Sequence, residues 1–551
     1  MNKFLLTTLN AKYIHTNLAI RLLYQLNKKH EGLYWKEFTI KDNFNEVASY
    51  CSSFEVIAFS CYIWNITQTL EVAQLIKQIN PTTKILLGGP EVSYDWEAII
   101  KNSDIDYIIS GEGEIAFRQF LLEFPQVENV QGIIFKKDGR IITNSAPPVF
   151  NLQELNEINP YEDDNLTELK SKVLYVETSR GCPYKCEFCL ASLDNKVRYL
   201  SFDRIKENLF FLMQYGKTIK FLDRTFNIKK DFTIAVFDYI IQHYKSNTVF
   251  QFEITADILH QDIINYIDKK APKDLFRFEI GIQSVNSETN LEVSRKQNFE
   301  KTKKIIQSIA HKIELHLDLI VGLPFEDFDK TKKGFEEVFK LFAPELQLGF
   351  LKFLKGTPMR DKILKHGYEF DENPPYQIIK SNYLNESELQ DILLLEHALE
   401  IYWNKKRSMH VLKYVSLNHS IFDVLLDLGK IFKEQNKLYK HTLEDVYINM
   451  HNYISIQFPN NEILLQLHNI DYALYNKIRP GNHYGLLKHI YDEKQLMNLT
   501  SEFHKNKKVK YSTIDILFDY ELWKNDTEIS NKKSKLLIAY NSLEKPVLTI
   551  V

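Results

Sequence analysis

The sequence predicts an α/β protein in three parts: an N-terminal Rossmann-like parallel sheet, a central barrel-like run of strands and helices, and a C-terminal, mostly helical α+β extension. Three observations predict this. Apolar strand-like runs alternate with amphipathic helical stretches over residues 1–145. The alternation returns over 171–370, after a proline-rich and acidic interval at 146–170 that reads as a linker. From 371 onward it stops and helical periodicity takes over. A chain of 551 residues that is 44% hydrophobic and 26% charged has room for several domains with buried cores.

In the first part the candidate strands are Lys3 to Thr7, Val56 to Ser60, Lys84 to Leu87 and Tyr107 to Ser110. Several end in small or glycine-rich loops: Ser60 itself, Gly88-Gly89-Pro90 and Gly111-Glu112-Gly113-Glu114. Open parallel sheets bind ligands at the carboxyl ends of their strands, and glycine lets backbone come close to a ligand there. Any one such loop could be ordinary turn punctuation; the series on one predicted edge says more.

The strand Val173 to Glu177 delivers the chain into Thr178-Ser179-Arg180-Gly181-Cys182-Pro183-Tyr184-Lys185-Cys186-Glu187-Phe188-Cys189, which holds three of the five cysteines. A disulfide framework does not fit so sparse and odd a cysteine count. Structural zinc needs four ligands, and the next histidine, His243, lies far along the chain. A [4Fe-4S] cluster normally takes four thiolates, so three on one loop would leave one iron open to a small ligand.

This loop, with an aromatic before its last cysteine, resembles the signature of the radical S-adenosylmethionine (SAM) superfamily. The resemblance implies that Cys182, Cys186 and Cys189 bind three irons and that SAM chelates the fourth. It also implies a partial (β/α)6 barrel, for which further strands are expected at Thr218 to Leu222, Phe250 to Ile254, Arg277 to Ile280, His316 to Val321 and Gln347 to Phe350. By the same resemblance Phe188, Glu279, Gln283, Ser284, Gly322 and Pro324 contact SAM. Asp223 and Asp318 read as carboxylates that satisfy backbone amides at the barrel mouth. After Gly322-Leu323-Pro324 the chain has Phe325-Glu326-Asp327 where the family pattern commonly has glycine and Glu-Thr.

The upstream glycine series looks like the cobalamin-binding domain of one branch of that superfamily. It implies that Ser60, Gly88, Gly89, Pro90, Glu112 and Gly113 surround the cobalamin. Many such domains carry Asp-x-His-x-x-Gly to supply a cobalt ligand; here only His15 matches, and a lone loop histidine is more often a local hydrogen-bonding residue.

In the last part Asn385 and Glu388 read as a capping box before Leu389, Ile392, Leu393, Leu399, Tyr402 and Trp403 at helical spacing. A second helix is expected from Ser420 to Lys433, and strands at Ser512 to Phe518 and Lys535 to Tyr540. His410, His419, His483 and His489 lack metal-ligand spacing and read as structural. This third of the chain resembles a C-terminal extension of unassigned function that accompanies cobalamin-type radical SAM proteins.

A net charge of -3 argues against a nucleic-acid partner, and the basic run Lys505 to Lys510 reads as a solvated loop. No apolar segment approaches the ~18 residues needed to span a bilayer, so no membrane partner and a cytoplasmic location are expected. The leading expectation is a radical SAM enzyme that cleaves SAM reductively with a [4Fe-4S] cluster. It would use bound cobalamin for methyl transfer or radical rearrangement of a small molecule or peptide, with electrons from an external donor such as a flavodoxin or ferredoxin. Two alternatives stay open: a radical SAM enzyme without cobalamin, and a non-catalytic iron-sulfur sensor or scaffold.

Overall fold

The first strand, β1 (Phe4–Asn10), is buried along its whole length, which requires covering layers on both faces of its sheet. The computed structural model describes residues 2–475, 510–540 and 546–550. In it β1 is joined by β2 (Leu33–Thr39), β3 (Val56–Ser60), β4 (Lys84–Gly88), β5 (Tyr107–Ile109), β6 (Ile133–Lys137) and β7 (Arg140–Thr143), in the order β2-β1-β3-β4-β5-β6-β7. The pairings from β2 to β5 are parallel, whereas β6 and β7 add antiparallel at the edge.

Side chains alternate between two apolar layers. Leu5, Leu9, Ile57, Phe59 and Leu87 pack with the helices Phe44–Cys51 and Ile66–Ile79. Phe4, Leu6, Val56, Ala58 and Leu86 pack with the helices Leu18–Asn27 and Gly113–Glu123. Asn17 caps the former helix through the amide of Ile20.

Residues 146–170 are folded onto the sheet's neighbours. Phe150, Leu152, Leu155, Tyr161 and Leu169 are buried. Tyr161 Oη donates to the carbonyl of Tyr175 at 2.8 Å, and Asp164 accepts from Arg21 Nη2 at 2.6 Å.

The chain then enters β8 (Val173–Val176) and the short pair β9 (Ser179–Arg180) and β10 (Arg198–Tyr199), which run antiparallel and close the base of the cysteine loop. The strands β11 (Thr218–Phe221), β12 (Val249–Ile254), β13 (Phe276–Gln283), β14 (Glu314–Val321) and β15 (Glu345–Phe350) follow, separated by helices. With β8 they form a six-stranded sheet in sequential order, the arrangement of a partial (β/α)6 barrel.

By compactness the chain divides into two units. One comprises Met1–Leu315, Ile320–Phe325 and Phe350–Tyr383, and so holds the first sheet and the cysteine loop together. The other comprises His316–Leu319, Glu326–Gly349 and the chain from Leu384 onward. In this second unit the ring of Trp403 lies 4.5 Å from that of Phe339, and its Nε1 donates to the carbonyl of Ala343 at 2.9 Å. Glu336 accepts from Ser420 Oγ at 2.8 Å and the amide of Phe422 at 2.9 Å. The helix Glu386–Leu399 begins with the capping box of Asn385 and Glu388, and the helix Ile421–Glu434 is capped by Ser420.

A three-stranded antiparallel sheet of β18 (Lys510–Ile516), β19 (Ser534–Tyr540) and β20 (Val547–Ile550) completes the described chain; β16 (Glu369–Phe370) and β17 (Ile378–Lys380) precede it as a short pair. His483, His489 and residues 505–509 lie outside the described residues. Among the described residues no helix is long and apolar enough to cross a membrane.

Candidate functional site

In the first sheet β1 lies between β2 and β3, so successive connections leave in opposite directions on either side of it. This is the strand order 2-1-3-4-5, for which ligands sit beyond the strand carboxyl ends at the switch point. A cavity of about 620 Å3 lies there. All six residues expected around cobalamin, Ser60, Gly88, Gly89, Pro90, Glu112 and Gly113, line it.

The two glycines act differently. Gly89 has φ +106, and a Cβ on it would fall 2.6 Å from the carbonyl oxygen of Cys61, so only glycine lets these loops pass. A Cβ on Gly88 would meet nothing within 4 Å and would project into open space. That cradle, together with apolar walls from Leu6, Ala58 and Leu86, fits a large, mostly apolar cofactor.

Glu112 is not left open to a ligand. Arg198 Nη2 reaches its carboxylate at 2.8 Å and Arg180 Nη1 at 3.2 Å, and the amide of Phe150 donates to it. Burial opposes its ionisation, but these two guanidinium groups hold its carboxyl below the ordinary range. Arg180 also pairs with Glu114 at 2.7 Å and Glu177 at 2.9 Å. One arginine, two residues before Cys182, therefore ties the loop after β5 to the start of the cysteine loop.

Cys182 and Cys186 are each 7% exposed, Cys189 is half-buried, and none is in a disulfide. Among the described residues no three His, Cys, Asp or Glu side chains converge as ligands of a single metal ion. The thiolates of a [4Fe-4S] cluster bind different irons, so three thiols spread over one loop suit a cluster.

Asp223, at the end of β11, accepts from the amide of Thr178 at 3.0 Å, from Thr178 Oγ1 at 2.6 Å and from Ser179 Oγ at 2.5 Å. It satisfies donors at the barrel mouth, as the sequence suggests. Burial pushes its carboxyl up to about 6 against those three hydrogen bonds.

The residues expected at SAM lie on or just after β13, just after β14 and in the cysteine loop. Glu279 accepts from Lys220 Nζ at 2.9 Å and from Gln251 Nε2. Gln283 has φ +66, and its buried Oε1 has no hydrogen-bond partner among the described residues. An orphaned acceptor at a strand carboxyl end fits a ligand that donates there. Ser284 is buried and accepts from the amide of Asn286 at 2.9 Å. The carbonyls of Gly322 and Pro324 are taken by Tyr368 Oη at 2.9 Å and Thr289 Oγ1 at 2.7 Å. Phe188 is half-buried. None of these six residues lines the cavity at the switch point.

Tyr62 and Trp64 also line that cavity, outside the glycine and cysteine motifs. A second cavity of about 390 Å3 reaches Gly181 of the cysteine loop and Leu190 and Ala191 directly after it. It shares Tyr62, Trp64, Pro90, Glu177, Arg180, Leu222 and Arg224 with the first. Tyr62 and Trp64 stack with ring centroids 4.4 Å apart. Their signal was the aromatic pair directly after β3, and that of Arg180 its place beside the cysteines. His15 lines the first cavity, with its Nδ1 2.7 Å from Tyr175 Oη.

Comparison with known proteins agrees with this organisation. Residues 7–121 match the B12 binding domain, 176–337 the radical SAM superfamily, and 364–540 a family described as a protein of unknown function, DUF4080. An uncharacterized methyltransferase of Pyrococcus horikoshii is 26% identical over 337 residues, which is 57% of this chain and 70% of that protein. The cobalamin-dependent radical SAM methyltransferase TokK of Streptomyces tokunonensis is 24% identical over 340 residues, 57% of this chain and 49% of that protein.

Among solved structures, the radical SAM methyltransferase TsrM of Kitasatospora setae, with cobalamin and a [4Fe-4S] cluster bound, shares the fold. Its TM-score is 0.56 at 14% identity, over 68% of this chain and 82% of that one. The cofactors are accordingly a [4Fe-4S] cluster, SAM and cobalamin. The chain is a cobalamin-binding radical SAM enzyme, made of a B12-binding domain, a radical SAM domain and a C-terminal DUF4080 region, and homologous to cobalamin-dependent radical SAM methyltransferases.

Proposed function

We propose that the enzyme transfers a methyl group from SAM, by way of cobalamin, to a small organic molecule held between the two cofactors. The observation that carries this reading is the pair of cavities that share seven lining residues, one beneath the glycine loops of the first sheet and one against the cysteine loop. At about 390 Å3 the second falls within the range of about 300–1,000 Å3 usual for small-molecule pockets. The relatives named as methyltransferases support the choice of methyl transfer over rearrangement.

In this reading Cys182, Cys186 and Cys189 hold the cluster, and Phe188, Glu279, Gln283, Ser284, Gly322 and Pro324 position SAM. Ser60, Gly88, Gly89, Pro90 and Gly113 cradle the corrin, while Glu112 fixes the cavity wall through Arg180 and Arg198. The bound cofactors supply one-electron reductive cleavage of SAM and a transferable methyl group. The chain's own task is to bind, orient and exclude water. Leu190, Leu222 and Leu354 give the second cavity apolar walls, and the paired Glu91 and Lys355 line it as well. Electrons come from an external flavodoxin or ferredoxin.

The test uses protein purified anaerobically with iron and cobalamin supplied, then given methyl-labelled SAM and a strong reductant. Cobalamin retained through gel filtration, with both 5′-deoxyadenosine and S-adenosylhomocysteine formed, is the expected result. Intact SAM despite a full cluster would sink the enzyme reading, and SAM cleavage without cobalamin retention would favour radical chemistry that dispenses with it.

A further inference from the structure

We propose that Arg295 sets the reduction potential of the [4Fe-4S] cluster by holding a charged N–H against the sulfur of Cys186. The inference rests on the assignment of Cys182, Cys186 and Cys189 as cluster ligands.

Each of the three guanidinium nitrogens has a contact. Nε donates to Oε1 of Gln297 at 2.8 Å, Nη2 to the carbonyl of Gly281, and Nη1 lies 3.6 Å from Sγ of Cys186. Gly281 belongs to β13, so the arginine is anchored on the barrel sheet and not on the cysteine loop alone.

The segment that carries Arg295 also grips the loop directly. The amide of Glu187, the residue after Cys186, donates to the carbonyl of Val293 at 3.1 Å, and Ser294 Oγ donates to the Glu187 carboxylate at 2.7 Å. Lys362 Nζ reaches the same carboxylate at 2.6 Å. Sulfur and guanidinium therefore cannot part without breaking this clasp.

Two further facts give the arrangement its direction. No carboxylate pairs with Arg295 among the described residues, so its charge is not cancelled before it reaches the sulfur. Of the other two thiols, Cys182 meets the neutral hydroxyl of Thr225 at 3.8 Å, and Cys189 feels the charge of Arg224 but makes no hydrogen bond to a cation among the described residues. A cluster gains negative charge on reduction. Hydrogen bonds to its sulfurs and nearby positive charge favour the reduced form, the more so at a buried site. Arg295 is thus a positioning residue that raises the potential toward the reach of a biological electron donor.

The test is an EPR-monitored redox titration, without SAM, of anaerobically reconstituted full-length enzyme and its Arg295→Gln and Arg295→Lys variants. Iron, sulfide and SAM affinity are measured alongside. The Gln variant is expected to hold a full cluster at a more negative potential, and the Lys variant, which keeps the charge but loses the planar fork, to shift less in the same direction. Equal potentials at equal cluster content would overturn the proposal, as would a loss of SAM affinity with no change in potential. Should the Gln variant assemble no cluster, the Lys variant decides, and a wild-type potential there counts against the idea. Failure of the wild-type protein to assemble any cluster would instead remove the cysteine assignment beneath it.

Discussion

Adjacent glycines in the cavity make opposite predictions. Gly89→Ala must place a Cβ 2.6 Å from the Cys61 carbonyl at φ +106, a backbone strain of about 2 kcal/mol or more before any clash is relieved. Gly88→Ala meets no atom within 4 Å and is expected to leave the thermal midpoint nearly unchanged while weakening cobalamin retention. Melting curves and the visible absorbance of retained cobalamin separate the two effects. Asp223 offers a pH test. Its folded carboxyl titrates near 6 because burial penalises the charge, well above the unfolded value, so the folded state binds more protons between about pH 4 and 6. Its contribution is full below pH 4 and is lost as pH rises through 6. In cluster-free protein, Asp223→Asn should flatten the pH profile of unfolding, by about 2 kcal/mol between pH 4 and 7. Wild-type and variant profiles that run parallel would contradict this. The cysteines and the glycines could be read from sequence because local spacing defines them. Arg295 could not, because its meaning depends on a sulfur 109 positions earlier.

At the scale of elements, the loop Gly88-Gly89-Pro90-Glu91 is pinned by an ion pair whose carboxylate is buried. Glu91 is 5% exposed, lies 3.0 Å from Lys355 Nζ after β15, and accepts from Tyr376 Oη. Glu91→Ala would leave a half-buried lysine without its partner and is expected to cost about 2 kcal/mol, whereas the double variant Glu91→Leu, Lys355→Met should recover most of it. Denaturant unfolding of the four proteins in the cycle measures the difference. The strands β1, β3, β4 and β5 were legible as apolar runs with small residues at their ends. The edge strand β2 was missed because Tyr34, Lys36 and Glu37 break its apolar run. The hairpin of β6 and β7 was missed although it turns on Asp138-Gly139, both at positive φ, which is the standard signal of a two-residue hairpin loop.

At the scale of the whole molecule, the two units do not follow the order of the sequence. Residues 326–349 of the radical SAM region pack in the same unit as the chain beyond Leu384. The pairs of Phe339 with Trp403 and Phe335 with Phe422 are contacts across long stretches of sequence, which no periodicity discloses. A chain ended at Tyr383 is therefore expected to aggregate or bind a hydrophobic dye and not to act as a minimal radical SAM enzyme. A monodisperse, cluster-binding truncation would contradict this. The same arrangement has a consequence during synthesis. Phe335 leaves the ribosome 87 residues before its partner Phe422, an interval of about 4–17 s at about 5–20 residues per second. For that time the last helix of the barrel carries an uncovered aromatic face, which makes the nascent chain a substrate for chaperones until its own C-terminal third arrives.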